Sequence, residues 1–66
     1  MPVLKVIEVL ASSNKSWEQA TANGVKEASK SLKGIKSVYV KEQSAVVSGD
    51  TVTDYRVNLK ITFEVK

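Results

Sequence analysis

The sequence predicts an α+β domain with the element order β-α-β-β. Three observations carry this reading: aliphatic and β-branched residues crowd the start, small apolar residues recur at helical spacing between Trp17 and Leu32, and the C-terminal segment alternates apolar and polar positions without interruption.

Residues 3–10 are broken only by Lys5 and Glu8, which reads as a strand buried on most of both faces. Ala11-Ser12-Ser13-Asn14-Lys15 reads as a polar connection. Ser16 then suits a helix N-cap, Gln19 completes a capping-box pattern, and Glu18 complements the positive end of the helix dipole. Trp17, Ala20, Thr21, Gly24, Val25, Ala28 and Leu32 share one face of a helix over residues 16–32. A glycine inside a helix costs about 1 kcal/mol relative to alanine, so Gly24 points to close approach of helix and sheet. Lys30 and Lys33 suit the C-terminal end, with Gly34 as the residue just past it.

A second strand is predicted over residues 36–47, with Val38, Val40 and Glu42 on one face. Ser48-Gly49-Asp50 supplies hairpin-turn chemistry. The third strand, residues 51–66, is the strongest pattern: Tyr55, Val57, Leu59, Ile61, Phe63 and Val65 alternate with polar residues. At ~3.3 Å per residue it would reach about 50 Å. The helix covers about 25 Å, and a compact chain of this size is about 28 Å across. We therefore expect strong curvature, and shelter of the apolar ribbon by sister chains.

Composition narrows the function. The chain has 66 residues, one domain over residues 1–66, and a chain this short buries only about 60% of its unfolded surface. It contains neither Cys nor His, which removes disulfides, thiolate metal sites and the commonest general base. Self-association is the remaining route to a larger core. No glycine-rich phosphate loop or nucleophile–base pair is present, so no enzyme is expected. The net charge of +3 comes from basic residues interleaved with carboxylates, which does not read as a nucleic-acid surface. No run approaches the ~20 apolar residues of a membrane span. The N-terminal residues do not read as a signal peptide, so a cytoplasmic location is expected.

Val6-Ile7-Glu8-Val9, Ser12-Ser13 and Ser16-Trp17-Glu18-Gln19-Ala20 resemble the opening of dodecins. Ala28-Ser29-Lys30-Ser31-Leu32 resembles that family's helix end, and Val40-Lys41-Glu42-Gln43, Tyr55-Arg56-Val57 and Phe63-Glu64-Val65 resemble its second and third strands. The resemblance covers nearly the whole chain in order. It implies a three-stranded antiparallel sheet partly wrapped around one helix, assembled as a hollow homododecamer. It also implies flavin (FMN or riboflavin) bound in pairs at subunit interfaces, for storage rather than catalysis.

In the family pattern a Trp at the start of the second strand stacks on the flavin ring, and a Gln just after the third-strand Tyr hydrogen-bonds the ring's polar edge. Here those positions fall on Ser37 and Arg56, and a further polar position, often Glu in the family, falls on Tyr39. Ser37 offers no stacking surface. Arg56 donates but cannot accept. Together the two changes predict flavin affinity lowered on the order of a hundredfold or more.

Ser37, Tyr39 and Arg56 are accordingly the candidate cofactor-binding positions. Arg56 reads either as an anion contact or as an inter-subunit ion pair with a carboxylate such as Glu42. Tyr39 reads as cross-strand packing or as a stacking surface, and Trp17 as a packing anchor. Glu8, Glu42, Asp50, Asp54 and Glu64 could give oxygens to calcium or magnesium around a symmetry axis. The expected function is a homo-oligomeric shell that binds, stores or sequesters a small molecule or ion at subunit interfaces, with weakened or lost flavin binding. A flavin-storing shell using other contacts, and a structural oligomer without ligand, remain as alternatives.

Overall fold

The computed structural model describes residues 3–65. Its elements follow the predicted order: β1 (Val3–Ser13), α1 (Trp17–Ala28), β2 (Ile35–Ser48) and β3 (Thr51–Val65). The sheet is antiparallel with strand order β1-β3-β2, so the last strand is the central one. α1 lies across one face. Lys66, the predicted end of the third strand, lies outside the described residues.

β3 alternates because one of its faces is covered and the other is not. Val57, Leu59 and Ile61 are fully buried beneath α1 together with Ala20, and Ile7, Val9, Ala11, Trp17, Ala28, Ile35 and Val38 pack around them. The apolar ribbon of β3 is thus sheltered mainly by its own chain, contrary to the expectation that sister chains would do this. Most of the exposed apolar side chains sit on edge strand β1 (Leu4, Val6 and Leu10 among them) and on β2 (Tyr39 and Val47), and β3 exposes Val52 and Val65 at its two ends. The expectation that β1 is buried on most of both faces is therefore corrected: its second face has nothing over it within one chain.

The molecule measures 51 × 19 × 14 Å with a radius of gyration of 13.4 Å, against about 11 Å for a compact chain of this length. β3 therefore outruns the helix by extending past it rather than by folding back. β2 absorbs irregularity through register shifts between Ile35 and Ser37, Val40 and Glu42, and Val46 and Val47. The shift after Val40 has a local consequence. Val38 and Val40 pair with the inward residues Ile61 and Leu59, whereas Glu42 pairs with Asn58 on the opposite face, not on the face of Val38 and Val40 as its spacing suggested.

Ser16 caps α1 as predicted: Gln19 N donates to Ser16 Oγ at 3.0 Å. The reciprocal half of the capping box is not made, because the Gln19 amide donates to Asn23 Oδ1 at 2.9 Å instead. The helix ends at Ala28, four residues short of the predicted Leu32, where hydrogen bonds tighten to Lys30 N→Glu27 O and Ser31 N→Ala28 O. Ser29 Oγ also donates to Lys26 O at 2.7 Å. Gly34 is consequently not the helix cap. Its φ of 74° belongs to the start of β2, where its carbonyl accepts from Glu64 N at 2.9 Å. β1 runs to Ser13, three residues beyond the predicted end, because pairing with Arg56 and Tyr55 of β3 recruits Ser12 and Ser13. No helix among the described residues is long and apolar enough to cross a membrane.

Candidate functional site

Antiparallel pairing puts partnered residues on the same side of the sheet. The face turned away from α1, here the outer face, therefore carries Leu4, Val6, Glu8, Leu10 and Ser12 from β1. From β3 it carries Arg56, Asn58, Lys60, Thr62 and Glu64, and from β2 Ser37, Tyr39, Glu42 and Ser44. All three sequence-predicted site residues stand on this face. They do not meet.

Ser37 pairs with Thr62, Tyr39 with Lys60, and Arg56 with Ser44. Ser37 and Arg56 are thus six residues apart along β3, about 20 Å at ~3.3 Å per residue. Tyr39 lies two residues from Ser37 and is 64% exposed on the outer face rather than packed across strands. No single chain can bring Ser37 and Arg56 to one small ligand.

The cations of this face differ in how they are engaged. Lys41 Nζ lies 3.6 Å from Glu8 Oε1, and Lys36 Nζ lies 3.5 Å from Glu64 Oε1. Arg56 and Lys60 form no ion pair among the described residues, and neither do Glu42 and Asp54. Exposed pairs of this kind are worth about 0–1 kcal/mol and yield readily to a ligand. Of the carboxylates named from sequence, Glu8, Glu42, Asp54 and Glu64 share the outer face, while Asp50 sits in the hairpin turn and accepts from Thr51 Oγ1 at 3.1 Å. No three of them converge among the described residues. Calcium takes six to eight oxygens, so a cation site on this face needs carboxylates from more than one copy.

Sequence reasoning missed the row at Arg56. Ser12 of β1 and Ser44 of β2 pair with Arg56 from either side. Their carbonyls, at the two free edges of the sheet, are each held from α1: Asn23 Nδ2 donates to Ser12 O at 3.2 Å, and Trp17 Nε1 donates to Ser44 O at 3.0 Å. The signal was the placement of one Ser in each edge strand opposite Arg56, which becomes visible only once register is known. Along the β1 edge, a groove of about 640 Å³ between α1 and β1, lined by Leu10, Ala11, Ser12, Asn23, Lys26 and Glu27 among others, contains none of Ser37, Tyr39 or Arg56.

Comparison with known proteins places the fold in a family. The chain is 36% identical to the calcium dodecin of Mycobacterium tuberculosis, covering all of this chain and 93% of that one. The crystal structure of that calcium-chelating antigen, described with a novel calcium-binding site, superposes with a TM-score of 0.85 at 35% identity over 97% of this chain and 91% of that one. The dodecin of Streptomyces coelicolor superposes with a TM-score of 0.95 at 26% identity over 98% of this chain and 93% of that one. The family model for dodecin matches residues 3–66, and the chain belongs to the dodecin family.

Proposed function

We propose that this chain is a non-enzymatic binding protein whose copies assemble into a hollow homododecamer that holds a small molecule or an ion where subunits meet. The observation that carries the proposal is the separation of Ser37 from Arg56 by about 20 Å along one sheet. In the family pattern both positions touch one ligand, so the ligand must lie between copies. The exposed Leu4, Val6 and Leu10 on the same face support assembly, since apolar surface of this kind marks contact with another chain.

Flavin is the weaker candidate ligand. Ser37 gives no ring to stack on, and Arg56 cannot accept from the ring's N–H. Tyr39, two residues along the same face, offers the aromatic surface that Ser37 lacks. Calcium is the second reading. Its support is the four carboxylates spread on the outer face, with Glu42 and Asp54 unpaired among the described residues, and the similarity to the calcium dodecin.

Native mass spectrometry of freshly purified protein, with elemental analysis and FMN fluorescence titration on the same sample, tests these readings. The expected result is a dodecamer retaining a metal ion or metabolite and quenching FMN weakly. A lone chain of 7.2 kDa overturns the shell. An empty dodecamer that takes up neither calcium nor FMN leaves the structural oligomer in its place.

A further inference from the structure

We propose that Ser12, Arg56 and Ser44 form an oxyanion-recognition row, so that the ligand carries a carboxylate or phosphate group rather than the neutral polar edge of a flavin ring. The inference deepens the binding reading above and names the ligand class that its Arg56 position selects.

Paired residues on one sheet face hold their Cβ atoms about 4.5–5.5 Å apart. Ser12 and Ser44 thus flank Arg56 closely on both sides. The guanidinium brings five N–H donors in a planar fork, and each hydroxyl can turn a further donor inward. None of the three side chains makes a hydrogen bond or ion pair among the described residues. Three donor-bearing groups in line, exposed and unengaged, match a group that only accepts: a planar carboxylate or a tetrahedral phosphate.

The row is also held in place. Asn23 and Trp17 reach around the two edges of the sheet from α1 and fix the backbone of Ser12 and Ser44. Both flanking strands are anchored at the one register position where Arg56 stands, and such anchoring limits the reorganisation that binding requires. Glu42 and Asp54 stand at neighbouring outer positions, opposite Asn58 and Val46, without pairing to Arg56. Their negative charge opposes an anion, so the row favours ligands whose remaining atoms avoid those carboxylates.

The test is calorimetric titration of the assembled protein with inorganic phosphate and, separately, with acetate. We expect saturable binding of at least one of these anions, and the better-bound one identifies the group recognised. Arg56→Gln should weaken it about tenfold to a hundredfold, as loss of a charge-assisted contact does. Arg56→Lys should retain part of the affinity, and Glu42→Gln should raise it. Lys33→Gln, which removes one positive charge far from the row, should bind as the parent does. Equal losses in Lys33→Gln and Arg56→Gln overturn the proposal in favour of diffuse charge. So does a parent protein that takes up neither anion, or an Arg56→Gln variant that assembles less well while anion uptake is unchanged, the mark of an inter-subunit ion pair. Arg56-dependent anion binding by a protein that fails to form a dodecamer keeps the row and removes the shell, so the two readings fail separately.

Discussion

The indole Nε1 of Trp17 donates to the carbonyl of Ser44 at 3.0 Å, while the ring meets Tyr55 edge-on at 4.9 Å between centroids and 71° between planes. One side chain at the first turn of α1 therefore grips both the central strand and the β2 edge. Its N–H satisfies a carbonyl that no further strand reaches, and its ring closes the end of the core. Trp17→Phe retains the edge-on contact and loses the hydrogen bond, so it should reduce stability by about 0.5–1.5 kcal/mol. Trp17→Ala removes the ring as well and should cost about 3 kcal/mol or more. Urea unfolding at fixed subunit concentration checks both, since the proposed assembly would make stability concentration-dependent. Equal effects of the two variants would show that the ring contributes nothing.

A second prediction concerns Gly24. A Cβ there would lie 2.6 Å from Leu59 Cδ1 and 3.1 Å from Ala11 Cβ, and Leu59 is fully buried. Alanine gains about 1 kcal/mol of helix propensity, while overpacking costs about 1–3 kcal/mol. We expect Gly24→Ala to be destabilising by about 1 kcal/mol. Shortening the opposing side chain makes room, so Gly24→Ala with Leu59→Val should lose less than the two single changes added together. Additive losses in thermal unfolding would remove the close approach as the reason for this glycine.

The hairpin makes a third. Gly49 has φ of +64°, while no non-glycine residue in the described chain has positive φ, so Gly49-Asp50 forms a type II′ turn between Ser48 and Thr51. A Cβ at Gly49 meets nothing within 4 Å, so only backbone strain opposes a side chain. Gly49→Ala should cost about 1–2 kcal/mol, and Gly49→Asn less, because Asn tolerates this conformation. Chemical denaturation that ranks Asn below Ala would contradict the turn assignment.

Flavin affinity gives a fourth. Ser37→Trp restores a stacking surface, and Arg56→Gln restores an amide that both donates and accepts. The double variant should bind FMN on the order of a hundredfold more tightly than the parent, read as quenching of FMN fluorescence. Single variants should each give part of the gain. No gain in the double variant means that these two outer-face positions do not share a ligand across subunits.

How far the sequence reaches is clear from particular residues. The alternation from Tyr55 to Val65 set the face of β3 correctly, and the helical spacing of Trp17, Ala20, Gly24 and Ala28 set the face of α1, because each pattern reflects burial against a neighbour in the same chain. Ser12 and Ser13 read as loop because their strand state comes from pairing with β3, a long-range contact without local signature. Glu42 changed face because a register shift follows Val40, and a bulge leaves no mark in a period-two pattern. The site was legible in part: resemblance picked out Ser37, Tyr39 and Arg56, and they do share one face. Their separation, and the two serines beside Arg56, depend on register.

The last prediction separates the core from the assembly. Val57, Leu59 and Ile61 are covered by α1 of the same chain, whereas Val6 and Leu10 on the outer face of β1 are 52% and 57% exposed. Substituting the second pair leaves every contact of the first intact. Val6→Glu with Leu10→Lys should therefore act on the proposed subunit association: sedimentation should shift from the large species expected of the parent to small ones, and the apparent midpoint of unfolding should fall with dilution. A dissociated chain keeps only the small core under α1, which for 66 residues is marginal, so loss of far-UV circular dichroism is expected to accompany dissociation. If the variant sediments as the parent does, these side chains lie outside the subunit contacts. If the unaltered protein stays folded as a single 7.2 kDa chain at micromolar concentration, the core under α1 suffices and the exposed apolar side chains of β1 need another explanation.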